Sequence, residues 1–293
     1  MLTECIDALA INPDGIYVDV TFGGGGHSRE ILSRLNRKGR LIAFDQDEDA
    51  QQNAIDDDRF ILVRHNYRYL KNFLRYYELM PVNGILADLG ISSYQVDEAS
   101  RGFSIRFNAA LDMRMNREAG LTAADVINSY SEAQLVNIFS SYGEVFNAKT
   151  LARKILEARK DRKIADIEQF RNAISECADR QHETQYYAKV FQALRIEVND
   201  ELESLKTMLA QAVHVLAPGG RLVVISYHSL EDRLVKNLIA KGKFEGEVEK
   251  DLFGNRNDNP LAPINKKPIE ASTEEVKQNP RARSAKLRIA ERN

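Results

Sequence analysis

The fold is decided by residues 16–28, which read IYVDVTFGGGGHS. The first seven are mostly β-branched or aromatic, four glycines follow, and residues 27–35 then carry apolar side chains at helical spacing. Glycine permits positive φ angles and close backbone approach, and the start of a helix offers free N–H groups to an anion. We therefore predict that the loop from Gly23 to Ser28 binds a ligand, with a tight structural turn as the alternative.

The alternation of strand and helix continues beyond this loop. The pattern predicts strands at residues 40–45, 60–63 and 84–89, and helices at residues 48–55 and 68–77. Strands that alternate with helices favour a parallel sheet covered on both faces. The sequence therefore predicts an α/β fold for this part of the chain.

The alternation stops between about residue 97 and residue 187. The pattern there predicts helices at 121–129, 132–140, 149–159 and 164–178, with Ser131 and Asp166 as N-caps. Beyond it we predict a long helix at 189–216, a strand at 221–226, a helix at 230–240, a loop over 241–280 and a strand at 284–290. We therefore expect a discontinuous α/β domain, residues 1–97 and 188–293, interrupted by a helical domain, residues 98–187.

Composition narrows the class of protein. The 293 residues include 41 Lys+Arg against 43 Asp+Glu, so no global basic field points to a nucleic acid. Only two cysteines occur, which excludes a disulfide framework and a cysteine-based zinc site. No apolar run is long enough for a membrane span, and no pair among the five histidines has the helical spacing of metal ligands. We expect a cytoplasmic globular protein without a metal.

Two acidic residues stand at the ends of predicted strands. Asp45 follows Gly23 by 22 positions, where an acid in nucleotide-binding α/β folds takes the ribose hydroxyls. Asp88 ends the fourth strand, and ligands of parallel sheets lie beyond the carboxyl ends of the strands. We therefore expect both side chains to share one crevice with the glycine loop, although either could be a solvated strand-end carboxylate.

Other functions remain alternatives at this stage. A dinucleotide loop would read G-x-G-x-x-G, and Gly23 and Gly25 fit this pattern, but the third position is Ser28, which disfavours a nicotinamide-dependent dehydrogenase. Residues 226–229 (SYHS) follow the fifth strand and contain a Ser/His pair. Because no G-x-S-x-G elbow occurs, the pattern does not favour a hydrolase.

Positive charge is concentrated in one part of the predicted helical domain. Residues 149–163 contain seven basic and two acidic residues, a local net charge of +5, in a chain whose net charge is -2. Such a run is either a solvated helix face or a patch that contacts phosphates. A second basic cluster lies near the end of the chain, at Arg281, Arg283, Lys286 and Arg288.

Six motifs occur in order across nearly the whole chain: GGGGHS, DLGISS, RGFS, LDMRM, SYHSLEDR and NPRARS. In this combination the sequence resembles the bacterial 16S rRNA cytosine-N4 methyltransferases, which use S-adenosylmethionine. The resemblance implies a Rossmann-like methyltransferase domain with an inserted all-helical substrate-recognition domain. It also implies methylation of a decoding-centre cytosine in the 16S rRNA of the small ribosomal subunit.

The resemblance implies specific site residues, carried over by matching each motif in place. Contacts to S-adenosylmethionine are expected at Gly25, Gly26, His27, Asp45, Tyr67, Asp88 and Gln95. At the Tyr67 position many relatives have Phe, so an aromatic wall is retained, whereas Tyr94 stands where proline is common and residues 108–110 (NAA) replace a more usual Asp-Gly-Pro. For the amine hydrogens of the cytosine we expect Asp88 as the acceptor. The Ser92–Ser93 loop and the Tyr227–His228 segment are further candidates, of which Ser92 and His228 are chosen as catalytic.

Three expectations stay open. The family normally carries a short extended segment with a His and a Val before the Leu-x-Glu that stands here at residues 2–4. Either that segment lies upstream or it is absent, and if its residues line the site, a chain without it is expected to bind cofactor yet methylate poorly. A methyltransferase acting on protein or a small molecule would share the cofactor, and a non-catalytic RNA-binding module would tolerate loss of Asp88. The oligomeric state is left between a monomer and a homodimer.

Overall fold

The chain folds into two compact units in a computed structural model that describes residues 1–118, 120–246 and 259–293. The first unit combines Met1–Gly90 with Leu202–Asn293, and the second is Ile91–Glu201. The sequence placed these boundaries at residues 97/98 and 187/188 instead. The helical unit is therefore longer at both ends than the sequence pattern indicated.

Strands and helices are numbered along the chain. The strands are β1 (Ile16–Asp19), β2 (Arg40–Phe44), β3 (Phe60–Val63), β4 (Val82–Asp88), β5 (Leu216–Ser226), β6 (Leu261–Pro263), β7 (Ile269–Glu270) and β8 (Lys286–Arg292). The helices are α1 (Leu2–Leu9), α2 (Gly26–Arg34), α3 (Leu70–Tyr76), α4 (Ser93–Asp97), α5 (Ala123–Ser129), α6 (Glu132–Ser141), α7 (Ala148–Asp161), α8 (Ile167–Ile174), α9 (Glu183–Asn199), α10 (Glu201–Val215), α11 (Ser229–Lys241) and α12 (Thr273–Gln278). Short 3₁₀ turns lie at Glu48–Asn53, Tyr67–Tyr69, Ala99–Arg101, Ser175–Cys177 and Pro280–Ser284.

The strands of the first unit form one sheet in the order β3-β2-β1-β4-β5-β8-β6, with β7 also paired to β8. Strands β3, β2, β1, β4 and β5 are parallel, and β8 runs antiparallel to β5. The chain winds outward from β1 in both directions, so the strand order reverses between β1 and β4. Such a switch point opens a crevice at the carboxyl ends of the strands. The predicted Rossmann-like α/β fold is confirmed.

Both faces of the sheet are buried, as expected for parallel strands with helices on each side. Because side chains alternate along a strand, neighbouring residues enter different cores. Val18 of β1 joins a core with side chains of α3, α10 and α11, whereas Tyr17 joins a core with side chains of α1 and α2. Burial of these apolar side chains holds the central strands, and therefore their carboxyl ends, in fixed positions.

The second unit is helical and has its own apolar core, which includes the fully buried Phe139 and Phe170. Its helices begin at clear caps. Ser131 forms a capping box with Gln134 at the start of α6, and Asp166 accepts a hydrogen bond from the backbone of Gln169 at the start of α8. Both predicted N-caps are confirmed.

The single long helix predicted at 189–216 is wrong, because the structure has two helices there. Asp200 lies between α9 and α10 with φ 49° and ψ 44°, a left-handed conformation that ends a helix. The side chain of Asn199 fixes this corner by donating to Met113 O at 2.8 Å and accepting from Met115 N at 2.7 Å. The amphipathic pattern runs through the corner, so the pattern alone did not reveal the break.

The predicted loop at 241–280 is also partly wrong. It contains β6, β7 and α12, and Ser272 caps α12 by accepting from the backbone of Glu275. Residues 247–258 of that prediction lie outside the described residues.

The sequence reasoning did not predict α1 at all. No helix in the described part of the chain reaches both the length and the apolar character that a membrane span requires.

Candidate active site

The glycine turn between β1 and α2 has the shape that the sequence predicted. Gly23 and Gly25 adopt φ angles of 51° and 75°, and the Gly25 amide donates to Phe22 O at 2.8 Å. A β-carbon at Gly25 would lie 2.7 Å from Nη1 of Arg29, whereas one at Gly26 would meet no heavy atom within 4 Å. The turn therefore requires glycine at position 25, whereas the space next to the α-carbon of Gly26 is free.

The start of α2 is suited to a polar ligand. Its N-cap is Gly25, no side chain caps it, and its first turn contains no acidic residue. The first N–H groups of a helix then seek an outside partner. Beside them, the Nε2 atom of His27 is buried and has no hydrogen-bond partner in the described part of the structure. An orphaned buried nitrogen next to uncapped amides fits a bound group with polar atoms.

Ser28, which breaks the dinucleotide pattern, has a local partner. Its hydroxyl donates to Oδ2 of Asp19 at 2.7 Å, and Thr21 N donates to Oδ1 of the same carboxyl group at 3.1 Å. Burial raises the pKa of Asp19, and these hydrogen bonds act in the opposite direction. Asp19 is fully buried, and its carboxyl group stabilises the glycine turn through these two hydrogen bonds.

Asp45 is in direct contact with the glycine turn. Its Oδ2 accepts from the Gly23 amide at 2.8 Å, and its Oδ1 accepts from the Asp47 amide at 2.9 Å. Burial raises the pKa of Asp45 to about 6, although the two backbone hydrogen bonds oppose the shift. The spacing of 22 residues between Gly23 and Asp45 therefore corresponds to a hydrogen bond between neighbouring strand ends.

Asp88 ends β4 and is held from two sides. Its Oδ1 accepts from the Tyr227 hydroxyl at 2.7 Å, and its own amide donates to Thr21 Oγ1 at 2.7 Å. Its Oδ2 lies 3.8 Å from Nδ1 of His27, and the side chain is 29% exposed. Burial raises the pKa of Asp88, while His27 and the Tyr227 hydroxyl lower it. One carboxylate oxygen is thus engaged by Tyr227, and the other faces the glycine turn.

A cavity of about 220 Å³ brings several of these side chains together. It is lined by Met1, Leu2, Gly26, His27, Asp88, Ile225, Tyr227, Glu275, Asn279, Ala282 and Ala285. The structure therefore brings Gly26, His27 and Asp88 to one cavity and attaches Asp45 to the turn that forms part of its wall.

The sequence offered the Tyr227–His228 segment, and His228 was chosen from it as the catalytic candidate. The available signal was position, because Tyr227 directly follows β5 and β5 lies beside β4. His228 is not among the residues that line the cavity. It caps α11, with Nδ1 accepting from the Glu231 amide at 3.5 Å and Nε2 lying 3.2 Å from Glu231 Oε1.

Tyr67 lies in the turn after β3 and is half-buried, with its ring packed against the sheet core. The preceding Asn66 caps this turn by accepting from the Arg68 amide at 2.9 Å. Its Nδ2 also donates to Gln46 Oε1 at 2.9 Å, directly after Asp45. Loops at the carboxyl ends of β2 and β3 are therefore tied together, and Tyr67 and Asp45 stand at the same edge of the sheet.

The two remaining predicted residues, Ser92 and Gln95, belong to the helical unit. Ser92 Oγ accepts from the Gln95 amide at 3.2 Å, and Gln95 Oε1 accepts from the Ser92 amide at 3.1 Å. This reciprocal pair is the capping box of α4, and Gln95 is buried. Both side chains therefore have a structural role in starting a helix.

A known protein family and its members are similar in sequence to this chain over its whole length. The MraW methylase family matches residues 1–293. Ribosomal RNA small subunit methyltransferase H of Bacteroides thetaiotaomicron is 56% identical over 292 residues, covering 100% of this chain and 96% of that protein. The protein of the same name in Flavobacterium psychrophilum is 54% identical, covering 100% of both. A solved rRNA methylase from Streptococcus thermophilus has a TM-score of 0.40 at 12% identity, covering 99% of this chain and 93% of that chain, so the assignment depends on the sequence relatives. The chain belongs to the MraW methylase family.

Proposed function

We propose that the protein transfers the methyl group of S-adenosylmethionine to the exocyclic N4 of a cytosine in 16S rRNA of the small ribosomal subunit. The observation that carries the proposal is the placement of the Asp88 carboxylate in one cavity with the glycine-turn residues Gly26 and His27. The name of the relatives, ribosomal RNA small subunit methyltransferase H, supports the acceptor. We place the target in the decoding centre and the enzyme in the cytoplasm, following the resemblance.

The residues around the glycine turn fit the cofactor. When bound, S-adenosylmethionine supplies a methyl group on a sulfonium, which is already electrophilic. Gly25, Gly26 and His27 would hold its polar end through the uncapped start of α2. Asp45 would take the ribose hydroxyls, and Tyr67 would provide an aromatic wall for the adenine, as would be expected from their place at the edge of the sheet. Gln95 stays a predicted contact.

The acceptor nitrogen needs help, because its lone pair is delocalised into the cytosine ring. An ionised carboxylate that accepts a hydrogen bond from the amine localises this lone pair. It would receive the proton that the nitrogen loses as the new C–N bond replaces the bond between the methyl carbon and the sulfonium sulfur. Asp88 has an oxygen available for this purpose, Oδ2, since Oδ1 is held by Tyr227. Because His228 and Ser92 cap helices, we assign the proton-accepting role to Asp88.

The helical unit would contribute to RNA binding. In the basic run of α7 and the residues after it, Arg153 pairs with Glu132 at 3.3 Å and Lys154 pairs with Glu176 at 2.7 Å. The cations at the end of the run, Lys160, Arg162 and Lys163, are exposed. Exposed cations are the ones that can neutralise phosphates and release counterions.

The test is transfer of labelled methyl from S-adenosylmethionine to small subunits purified from cells that lack this modification. The rRNA would be digested to nucleosides, and the label identified by chromatography. Label in N4-methylcytidine supports the proposal. Label in another nucleoside would mean that a different base is the acceptor. Label only in ribosomal protein would mean that the enzyme acts on protein. No label despite measured cofactor binding would contradict transfer to this subunit.

A further inference from the structure

A second basic region lies outside the helical unit, directly after the edge strand β3. Residues 64–77 read RHNYRYLKNFLRYY and contain four basic residues, no acidic residue and several aromatic ones. The chain as a whole has a net charge of -2. A local stretch of one sign in a nearly neutral chain indicates a surface with a charged partner.

The aromatic side chains of this stretch are unusually exposed. Tyr76 is 77% exposed, Tyr69 is 41% exposed and Tyr77 is 37% exposed. The rings of Tyr76 and Tyr77 meet edge to face with centroids 4.9 Å apart, and Tyr69 meets His65 in the same way at 4.7 Å. Edge-on contacts steady a ring while leaving one of its flat faces open.

An exposed cation lies next to one of these tyrosines on α3. Asn72 and Tyr76 lie four residues apart on one face of α3, Arg75 lies beside Tyr76, and Tyr69 is the N-cap residue directly before the helix. We name these four residues, together with Lys71 four positions before Arg75, the α3 face. The opposite side of the helix carries the fully buried Leu70 and Leu74, which pack into the sheet core.

Not all of the basic residues in this stretch are equally available. Arg64 pairs with Glu48 at 3.3 Å, and Arg68 donates to Ser204 Oγ at 2.7 Å. Within the described part of the chain, neither Lys71 nor Arg75 is held in an ion pair. Lys71 and Arg75, which lie between Tyr69 and Tyr76 in sequence, therefore have no ion-pair partner in the described part of the chain.

We propose that the α3 face is an RNA-docking surface on the methyltransferase unit itself, separate from the basic run of the helical unit. Tyr76 would stack on an unpaired base, and Arg75 and Lys71 would contact the flanking phosphates. Open aromatic faces interleaved with uncompensated cations are the chemistry that binds single-stranded RNA. A second copy of this chain would bring its own cations to a two-fold contact, so charge favours RNA over self-association. The inference rests on the proposed function.

The test measures binding of the cofactor-saturated protein to small subunits that lack the modification. Tyr76→Ala should weaken binding about tenfold, because one base–aromatic stack is lost, and Tyr76→Phe should bind within about twofold of wild type. Replacing both Lys71 and Arg75 with Gln should make the plot of log affinity against log salt shallower by about 1.4, at roughly 0.7 for each single-strand phosphate contact. Since Tyr76 is 77% exposed, its truncation leaves the core intact, and an unchanged melting temperature checks this.

The outcomes separate this inference from the proposed function. If wild type methylates the subunits and Tyr76→Ala binds them as tightly as Tyr76→Phe, the α3 face is not an RNA surface. If Tyr76→Ala instead changes the oligomeric state in sedimentation without weakening RNA binding, the face joins two copies of the chain, and the inference is overturned. If wild type neither binds nor methylates the subunits, the proposed function fails and this inference fails with it.

Discussion

The Tyr227 hydroxyl donates a hydrogen bond to Oδ1 of Asp88 at 2.7 Å, across the carboxyl ends of two adjacent parallel strands. This bond selects which carboxylate oxygen remains for chemistry, because Oδ2 is left on the side of His27. It also stabilises the ionised form of a carboxyl group whose pKa is raised by burial. Tyr227 is therefore a positioning residue for Asp88 in the proposed reaction.

Removing this hydroxyl should change the pH dependence of methyl transfer. In the proposed reaction Asp88 acts in its ionised form, so the rate should rise as pH rises through the pKa of that group. In Tyr227→Phe the hydrogen bond that lowers the pKa of Asp88 is lost, so this pKa rises further. The acidic side of the pH–rate profile should then move to higher pH by about one to two units. This shift is the equivalent of a charge-assisted hydrogen bond worth roughly 1.5–3 kcal/mol. Single-turnover rates from pH 5 to pH 9 measure the shift.

At high pH the Tyr227→Phe and wild-type rates should converge to within a few-fold, since both then carry an ionised Asp88. A variant that is slower by the same factor at every pH would show that Tyr227 supports the fold or the substrate instead of the charge of Asp88.

The glycine turn offers a matched pair of substitutions. A β-carbon at Gly26 meets nothing within 4 Å, so Gly26→Ala should leave the unfolding free energy unchanged while placing a methyl group in the space of the cofactor. We expect cofactor affinity to fall at least tenfold, as in overpacked sites that lose about 1–3 kcal/mol. Titration calorimetry measures the affinity.

Gly25→Ala should behave differently. Gly25 has φ 75°, which costs a residue with a β-carbon about 1–2 kcal/mol, so this variant should lose thermal stability before any ligand is added. Equal cofactor affinity of Gly26→Ala and wild type would move the ligand away from the start of α2.

Asp45 should couple stability to pH. Its pKa is raised to about 6, above the roughly 3.9 of an unfolded chain. Neutral Asp45 therefore contributes to the free energy of unfolding below about pH 4, and this contribution is lost as pH rises through 6. Its size is on the order of 2 kcal/mol after solvent screening at a half-buried site. Urea unfolding of wild type should show this loss, and Asp45→Asn, which cannot ionise, should not.

The same variant should weaken cofactor binding about tenfold, because a charged acceptor for the ribose hydroxyls is lost. If Asp45→Asn binds the cofactor as wild type does, then Asp45 serves only to hold the Gly23 amide.

The basic run of the helical unit should divide into two groups. Replacing Lys160, Arg162 and Lys163 with Gln should weaken subunit binding and make its salt dependence shallower by about 2 in the log–log plot, at roughly 0.7–0.9 for each phosphate contact. Replacing Arg153 and Lys154, which are already paired with Glu132 and Glu176, should change that slope less. An unchanged slope in the triple variant would mean that these cations form only a solvated face.

Much of the sheet could be predicted from the sequence because its signals are local. Strands β2 and β4 are apolar runs, of which β2 ends beside the acidic residue Asp45 and β4 ends at the acidic residue Asp88. The edge strand β3 was predicted with the bounds that the structure shows. The approach of the glycine turn and Asp45 was anticipated because neighbouring parallel strands end at one edge, although the hydrogen bond between Gly23 and Asp45 was not predicted.

The parts that could not be predicted depend on contacts distant in sequence. The corner at Asp200 is fixed by Asn199 bonding to Met113 and Met115, and an amphipathic pattern contains no record of that pairing. The short strand β6 exists because β8 offers it an open edge. The sequence pointed to the Tyr227–His228 segment without dividing the roles of its two residues, and only geometry shows that His228 caps α11 while Tyr227 contacts Asp88.

The most direct test of the central claim compares Asp88→Asn with wild type in single-turnover methyl transfer to unmodified small subunits, with cofactor binding measured in parallel. If Asp88 accepts the proton of cytosine N4, the rate of N4-methylcytidine formation should fall about 10²–10⁴-fold while the cofactor still binds. N4-methylcytidine formed by Asp88→Asn at the wild-type rate would contradict the account.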